Sequence, residues 1–333
     1  MEWLKHILTL PLFFLGAVLG TFLTTCIERL PFQEEDLDEE DLPDRWYYKI
    51  PLFSLFISLP LYTRFSSLIP RAQCPACRVK LPWTERLAMV SFIRQRGRCS
   101  HCFYKIPGRH LFVEACTAVS FALAFWIWGL TPSLIVALIL IPLFIVATVV
   151  DLRFQIIPDE VSAAGIVLGL AWTALWTLHY GFSIYSDGWT GGFLEFLEQW
   201  FLCMDEYSLA YALSGFLVGS GALWLFYLLG SAYAGTDAMG FGDVKLAAFI
   251  GLFLGPLNTV IALAWAMTLG AIAGIFIKVM GGGRAQGGYT AFAFGPYICA
   301  GALIVLYVGS DGPLGVRIQN TLFVLNLLLR ELY

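Results

Sequence analysis

The chain has 333 residues, of which 59% are hydrophobic and only 13% charged, and its mean hydropathy is +0.75. Soluble domains carry about 25% charged residues, so a water-facing shell around a chain of this size is excluded and the lipid bilayer is its expected solvent. The net charge of −4 says nothing of nucleic acid, and no basic run with interleaved aromatics points to it, so no such partner is expected.

Apolar runs at 7–27, 111–129, 132–150, 160–180, 207–230, 257–278 and 290–309 approach the roughly 20 residues needed to cross a ~30 Å hydrocarbon core. A shorter run at 245–256 is read as an eighth span. In lipid the backbone must satisfy its own polar groups, which predicts helices; the alternating ten-residue segments of a β-barrel are absent. The expected fold class is an all-α polytopic membrane protein of about eight transmembrane helices with a cytoplasmic zinc-binding loop domain. It divides into a first transmembrane helix (1–27), a cytoplasmic loop (28–110), a transmembrane core (111–309) and a C-terminal tail (310–333). The first run carries Lys5 and could pass for a secretory signal, but it is long and no small-x-small site closes it, so it is read as a retained helix.

Thirteen of the twenty lysines and arginines lie between Arg29 and Arg109, which makes that segment cytoplasmic by the positive-inside rule. Threading eight helices from there puts 181–206, with five acids and no lysine or arginine, outside, and returns Lys278 and Arg284 to the inside. Both termini are then outside, and the loops beginning at 151, 231 and 279 are inside.

The cytoplasmic loop holds Cys74-x-x-Cys77 and Cys99-x-x-Cys102, separated by 21 residues. Two such pairs on tight turns present four thiolates to one tetrahedral zinc ion, a structural site; in a reducing cytoplasm disulfides would not persist. His101 lies within the second pair, but four cysteines already fill the shell. Cys26, Cys116, Cys203 and Cys299 are isolated, and the plain reading is small buried hydrophobes. The acidic run 33–49 (QEEDLDEEDLPDRWYYK) reads as a solvated linker. The stretch after it, 50–62, is too short to span comfortably and suits an interfacial or re-entrant helix.

Charged groups in membrane helices are costly and tend to mark function. Asp151 follows the run LIPLFIVATVV directly, and Asp243 opens a helix in AMGFGDVKLAAF. Charge counting places both at the cytoplasmic ends of their helices. Two carboxylates brought together in a low-dielectric site share one proton. The ionised one activates water and the protonated one polarises a carbonyl, which is peptide hydrolysis without a metal or an acyl-enzyme. Gly240 and Gly242 would let backbone pass close to an extended substrate and relax the conformation at Asp243. The competing reading is that each aspartate caps a helix at the interface.

Together these motifs resemble the prepilin peptidase, or type IV leader peptidase, family of Gly-x-Gly-Asp membrane aspartic peptidases. GTFLTTCIERLP (20–31) is similar to the family's opening motif. CPAC, LPWTE, RGRCSHC and IPGRHLFVEACTA follow its zinc-bearing loop in order. DLRFQIIPD (151–159) and MGFGDVKLAA (239–248) resemble its two aspartate motifs, and AFGPY (293–297) its late Phe-Gly-Pro. The resemblance implies a peptidase core whose catalytic pair falls on Asp151 and Asp243. It implies cleavage of the short basic leader of type IV prepilins or type II secretion pseudopilins, at the cytoplasmic face of a bacterial inner membrane. Members that keep the cysteine loop also methylate the new N-terminus with S-adenosylmethionine. Asp159 and Lys245 match family positions as supporting residues. Glu114, at the start of the second helix, is a candidate for holding a cationic group of the cofactor, or simply a carboxylate favoured by the helix dipole.

The chain departs from the family pattern at Thr24, Thr25 and Cys26, at Arg86-Leu87-Ala88, and in an insertion over 33–70. All lie in the half tied to methylation. A related peptidase acting on other membrane substrates is one alternative. A zinc-stabilised transporter or assembly factor is another, although transporters place such acids near the midplane, often in repeats, and no repeat is visible here.

Overall fold

The computed structural model describes residues 2–30, 77, 79, 87–105, 108–180, 209–235, 239–279 and 293–308. Cys74, Cys203, Arg86, Arg284, the stretch 33–70, the loop 181–206 and the tail 310–333 lie outside the described residues. Eight helices are described: α1 (Glu2–Arg29), α2 (Ala88–Gln95), α3 (Gly108–Trp128), α4 (Pro132–Phe154), α5 (Asp159–Tyr180), α6 (Leu209–Ala234), α7 (Phe241–Val279) and α8 (Gly295–Val308). No strand is formed among the described residues; the one isolated antiparallel bridge among them joins Arg98 to Lys105. Segments long and apolar enough to cross a membrane occur at Ile7–Glu28, Gly108–Trp128, Ser133–Phe154, Leu209–Tyr233 and Phe241–Phe276. Large apolar side chains such as Leu10, Phe14, Trp126, Leu229 and Ile272 are exposed along these helices, as a lipid-facing surface requires. The chain is a multi-pass membrane protein.

The spans expected at 245–256 and 257–278 are the two halves of α7. They meet at Gly255, whose φ of 72° and ψ of 177° break the helix immediately before Pro256. Proline removes a backbone donor and clashes with the preceding turn, and glycine alone takes positive φ without strain. The Tyr211 ring of α6 lies where a Cβ on Gly255 would stand, and the Thr259 hydroxyl donates to the Gly255 carbonyl at 2.5 Å. The break is therefore packed and hydrogen-bonded.

The described helices form two compact units divided between Phe154 and Gln155. In the first, α1 packs along α3, and α4 lies against both. Gly16 and Gly20 permit this approach: a Cβ on them would stand 2.8 Å from the Cα of Ala118 and 2.7 Å from that of Glu114. Small residues four apart are a recurrent means of close helix packing in membranes. In the second unit α7 is central and packs on α5, α6 and α8. Its first half buries Val244, Leu246, Phe249 and Ile250 almost completely.

Candidate active site and metal centre

In the first unit, α2 ends in two left-handed residues, Arg96 (φ 53°) and Gly97 (φ 68°), with the Gly97 N–H donating to the Ser91 carbonyl at 3.4 Å. The chain then reverses between Arg98 and Lys105. The Cys99 N–H donates to the Tyr104 carbonyl and the Phe103 N–H to the Cys99 carbonyl, each at 3.0 Å, with Phe103 also left-handed at φ 57°. This tight turn brings Cys99 and Cys102 together with Cys77: the three sulfurs lie within 4.8 Å of one another, Cys77 and Cys99 being 3.9 Å apart. Tetrahedral zinc with Zn–S bonds of about 2.3 Å sets its sulfurs about 3.8 Å apart, so the three thiols fit that ion. No disulfide forms among the described cysteines. His101, exposed on the same turn, is not a member of the cluster. Of the isolated cysteines, Cys26 and Cys299 are buried, as expected, and Cys116 is half-buried.

Glu114 is wholly buried, at 0% exposure. Its Oε1 accepts from the Thr21 hydroxyl of α1 at 2.9 Å, and its Oε2 accepts from the Met89 N–H in the first turn of α2 at 2.6 Å. Nearer the surface, Glu28 accepts from Arg109 at 3.0 Å and lies 3.2 Å from His110, tying the end of α1 to the start of α3. The spacing of residues along the sequence carried no sign of these pairings, which join positions 25 to 93 apart.

Asp151 lies in the last turn of α4, in the first unit, and is 4% exposed. Asp243 lies in the first turn of α7, in the second unit, and is 7% exposed. Each is thus a buried aspartate at the end of an apolar helix. In the second unit the Asp243 N–H donates to the Gly240 carbonyl at 3.2 Å. Gly242 is closely packed: a Cβ there would stand 3.0 Å from the Cβ of Ile157, in the connection leading to α5, which would have to give by a few tenths of an ångström. Among the described residues, the nearest atom to a Cβ added at Gly240 is an Asp243 carboxylate oxygen, at 3.7 Å. Lys245 reaches across to Asp159, the first residue of α5, and donates to its two carboxylate oxygens at 2.6 and 2.7 Å. Its ammonium also stands 5.6 Å over the Phe241 ring, which meets Tyr227 edge-on. The starts of α5 and α7 therefore lie at the same end of this unit. Phe241 and Tyr227 are contributors that motif reading did not single out; the aromatic position before Gly242-Asp243 is the only signal that pointed there.

Residues 14–128 match the Bacterial Peptidase A24 N-terminal domain, and residues 138–275 match the Type IV leader peptidase family. Among curated proteins, the prepilin leader peptidase/N-methyltransferase of Pseudomonas putida is 27% identical over 303 residues, covering 89% of each chain. That of Legionella pneumophila is 29% identical over 293 residues, covering 88% of each. The type 4 prepilin-like proteins leader peptide-processing enzyme of an enterotoxigenic Escherichia coli strain is 27% identical, covering 88% of this chain and 91% of its own. No solved structure matches the chain. The two matched regions take in both units, the cysteine turn and both aspartate-bearing helix ends, and on that ground the chain belongs to the type IV leader peptidase family.

Proposed function

We propose that the protein is a prepilin leader peptidase and N-methyltransferase of a bacterial inner membrane. It cleaves the leader of type IV prepilins or type II secretion pseudopilins at the cytoplasmic face and then methylates the new N-terminal amine. The observation that supports the peptidase is that Asp151 and Asp243 are each a buried aspartate at the end of an apolar helix. An unneutralised carboxylate in such a setting is expensive, and a proton shared between two carboxylates removes half of that expense. The ionised member takes a proton from water as the oxygen attacks the scissile carbonyl. The protonated member donates a hydrogen bond to the developing oxyanion and then gives its proton to the leaving amine, so the peptide bond is exchanged for one water molecule. Gly240 puts no side chain against the Asp243 carboxylate, which an added Cβ would stand 3.7 Å from. Asp159 and Lys245 support the start of α7 from α5.

Cys74, Cys77, Cys99 and Cys102 would hold a structural zinc ion, which stiffens the cytoplasmic loop because such sites contribute folding free energy directly. S-adenosylmethionine, when bound, supplies the electrophilic methyl group. The loop would hold that donor beside the freed amine, whose nitrogen would take the methyl group and lose a proton.

Incubation of the purified protein with a type IV prepilin and labelled S-adenosylmethionine, followed by mass spectrometry of the product's N-terminus, tests the proposal. Cleavage just before the hydrophobic segment and a mass gain of one methyl group are the expected results. An uncut prepilin after prolonged incubation with folded protein refutes the peptidase, and a cut but unmethylated product refutes the methyltransferase alone.

A further inference from the structure

Helix α2 begins without a cap of its own. Its N-cap residue is Leu87, which makes no side-chain hydrogen bond to the first turn, and no acid lies in that turn. The first N–H groups of a helix have no partner within it, and their usual acceptor is a serine, threonine, aspartate or asparagine at the N-cap. Here the acceptor comes from another helix. Glu114 of α3 takes the Met89 N–H at 2.6 Å. The other oxygen is held by Thr21 at 2.9 Å. Gly20 leaves the room: a Cβ there would stand 2.7 Å from the Cα of Glu114 and 3.4 Å from its Cβ and Cγ.

From this joint the chain runs without slack to the metal ligands. Helix α2 is eight residues long. Its Phe92 ring lies against Gly97, where a Cβ would stand 2.7 Å from the ring, and the Gly97 N–H returns to the Ser91 carbonyl. The Arg98–Lys105 bridge then closes the turn that carries Cys99 and Cys102. We infer that Glu114 is a positioning residue, an interhelical cap that fixes α2 and the cysteine turn against α1 and α3, rather than a ligand for the cationic cofactor. Both of its oxygens are already engaged by protein donors at short range, and the carboxylate has no exposed surface.

The part of this inference that concerns methyl transfer rests on the proposed function; the part that concerns docking of α2 does not, and the experiment separates them. The full-length protein in detergent is compared as wild type, Glu114→Gln, Glu114→Asp and Thr21→Val. Tryptic cutting at Arg94, Arg96 and Arg98, all exposed, reports local opening of α2, and labelled S-adenosylmethionine reports methyl transfer beside leader cleavage. Glutamine keeps the length and an oxygen for Met89, and its amide donates to the Thr21 hydroxyl. Aspartate keeps the charge and falls one methylene short.

Losing the shortest of these bonds predicts tryptic cutting about tenfold faster, and methyl transfer about tenfold slower, in Glu114→Asp, with leader cleavage little changed. Glu114→Gln stays within about threefold of wild type on both readouts. Thr21→Val moves in the same direction as Glu114→Asp, by less, without removing the carboxylate. The reverse pattern overturns the inference: methyl transfer lost in Glu114→Gln with a raised KM for S-adenosylmethionine, retained in Glu114→Asp, and unchanged tryptic rates. If wild type does not methylate at all, the methyltransferase reading fails, and the tryptic rates decide the docking role by themselves. Equal rates in all four proteins refute it.

Discussion

Two carboxylates show how differently the two units use their acids. In the first unit Glu114 is fully buried and is met by a hydroxyl and a backbone N–H, both neutral donors. In the second, Asp159 is more than a third exposed at its side chain and is met by the ammonium of Lys245, which is itself largely covered. The first arrangement holds a loop in one orientation and depends on shape and reach. The second places opposite charges at the starts of two helices, one of which carries Asp243, and depends on charge. A buried carboxylate held by neutral donors tolerates a neutral isostere of the same length, whereas breaking an ion pair leaves a charge without its partner.

The comparison is broken most severely at the cysteine turn. Replacing Cys99 and Cys102 together with serine is predicted to remove the metal and to lower methyl transfer by about a hundredfold or more, since ligands and their supporting shell determine both affinity and local folding. Leader cleavage is predicted to stay within a few-fold of wild type, as measured on one prepilin preparation. Elemental analysis checks the metal. Complete loss of cleavage in a folded variant would mean that the turn builds part of the peptidase site.

A smaller effect is expected at the ion pair. Lys245→Met leaves Asp159 without its ammonium partner beside the first turn of α7, and a fall in cleavage kcat/KM of about tenfold is predicted, the size of one charged hydrogen bond. The double variant Lys245→Met/Asp159→Asn is predicted to recover part of that loss, because it removes both charges. Additive losses would show that the two residues act separately. The smallest effect belongs to Gly242→Ala. The added Cβ stands 3.0 Å from that of Ile157, so thermal stability is predicted to fall by about 1 kcal/mol, read from the unfolding midpoint.

The sequence made the apolar spans readable because a bilayer leaves the backbone few options, and even the break at Gly255-Pro256 appeared as a boundary between two runs. The cysteine pairs were readable because their spacing is local: Cys99 and Cys102 sit on one turn, and its thiols do meet Cys77. The role of Gly242 was harder to read. Its motif suggested room for substrate, whereas its neighbour is Ile157 of the same unit. Glu114 was harder still. Expected at a helix start, where a dipole or a cationic ligand fitted equally well, it lies instead at the seventh residue of α3, whose first turn holds no acid, and its partners Thr21 and Met89 lie on other segments, where no periodicity or spacing reports them.

The central claim is that Asp151 and Asp243 together carry leader cleavage, and the most direct test is the cleavage rate of a type IV prepilin by wild type, Asp151→Asn and Asp243→Asn proteins of equal folding and metal content. Asparagine keeps the shape of each side chain and removes only the proton exchange. Each single variant is predicted to lose at least about a hundredfold in rate, the lower bound for loss of a general acid or base. A rate above a tenth of wild type in either variant would contradict the account.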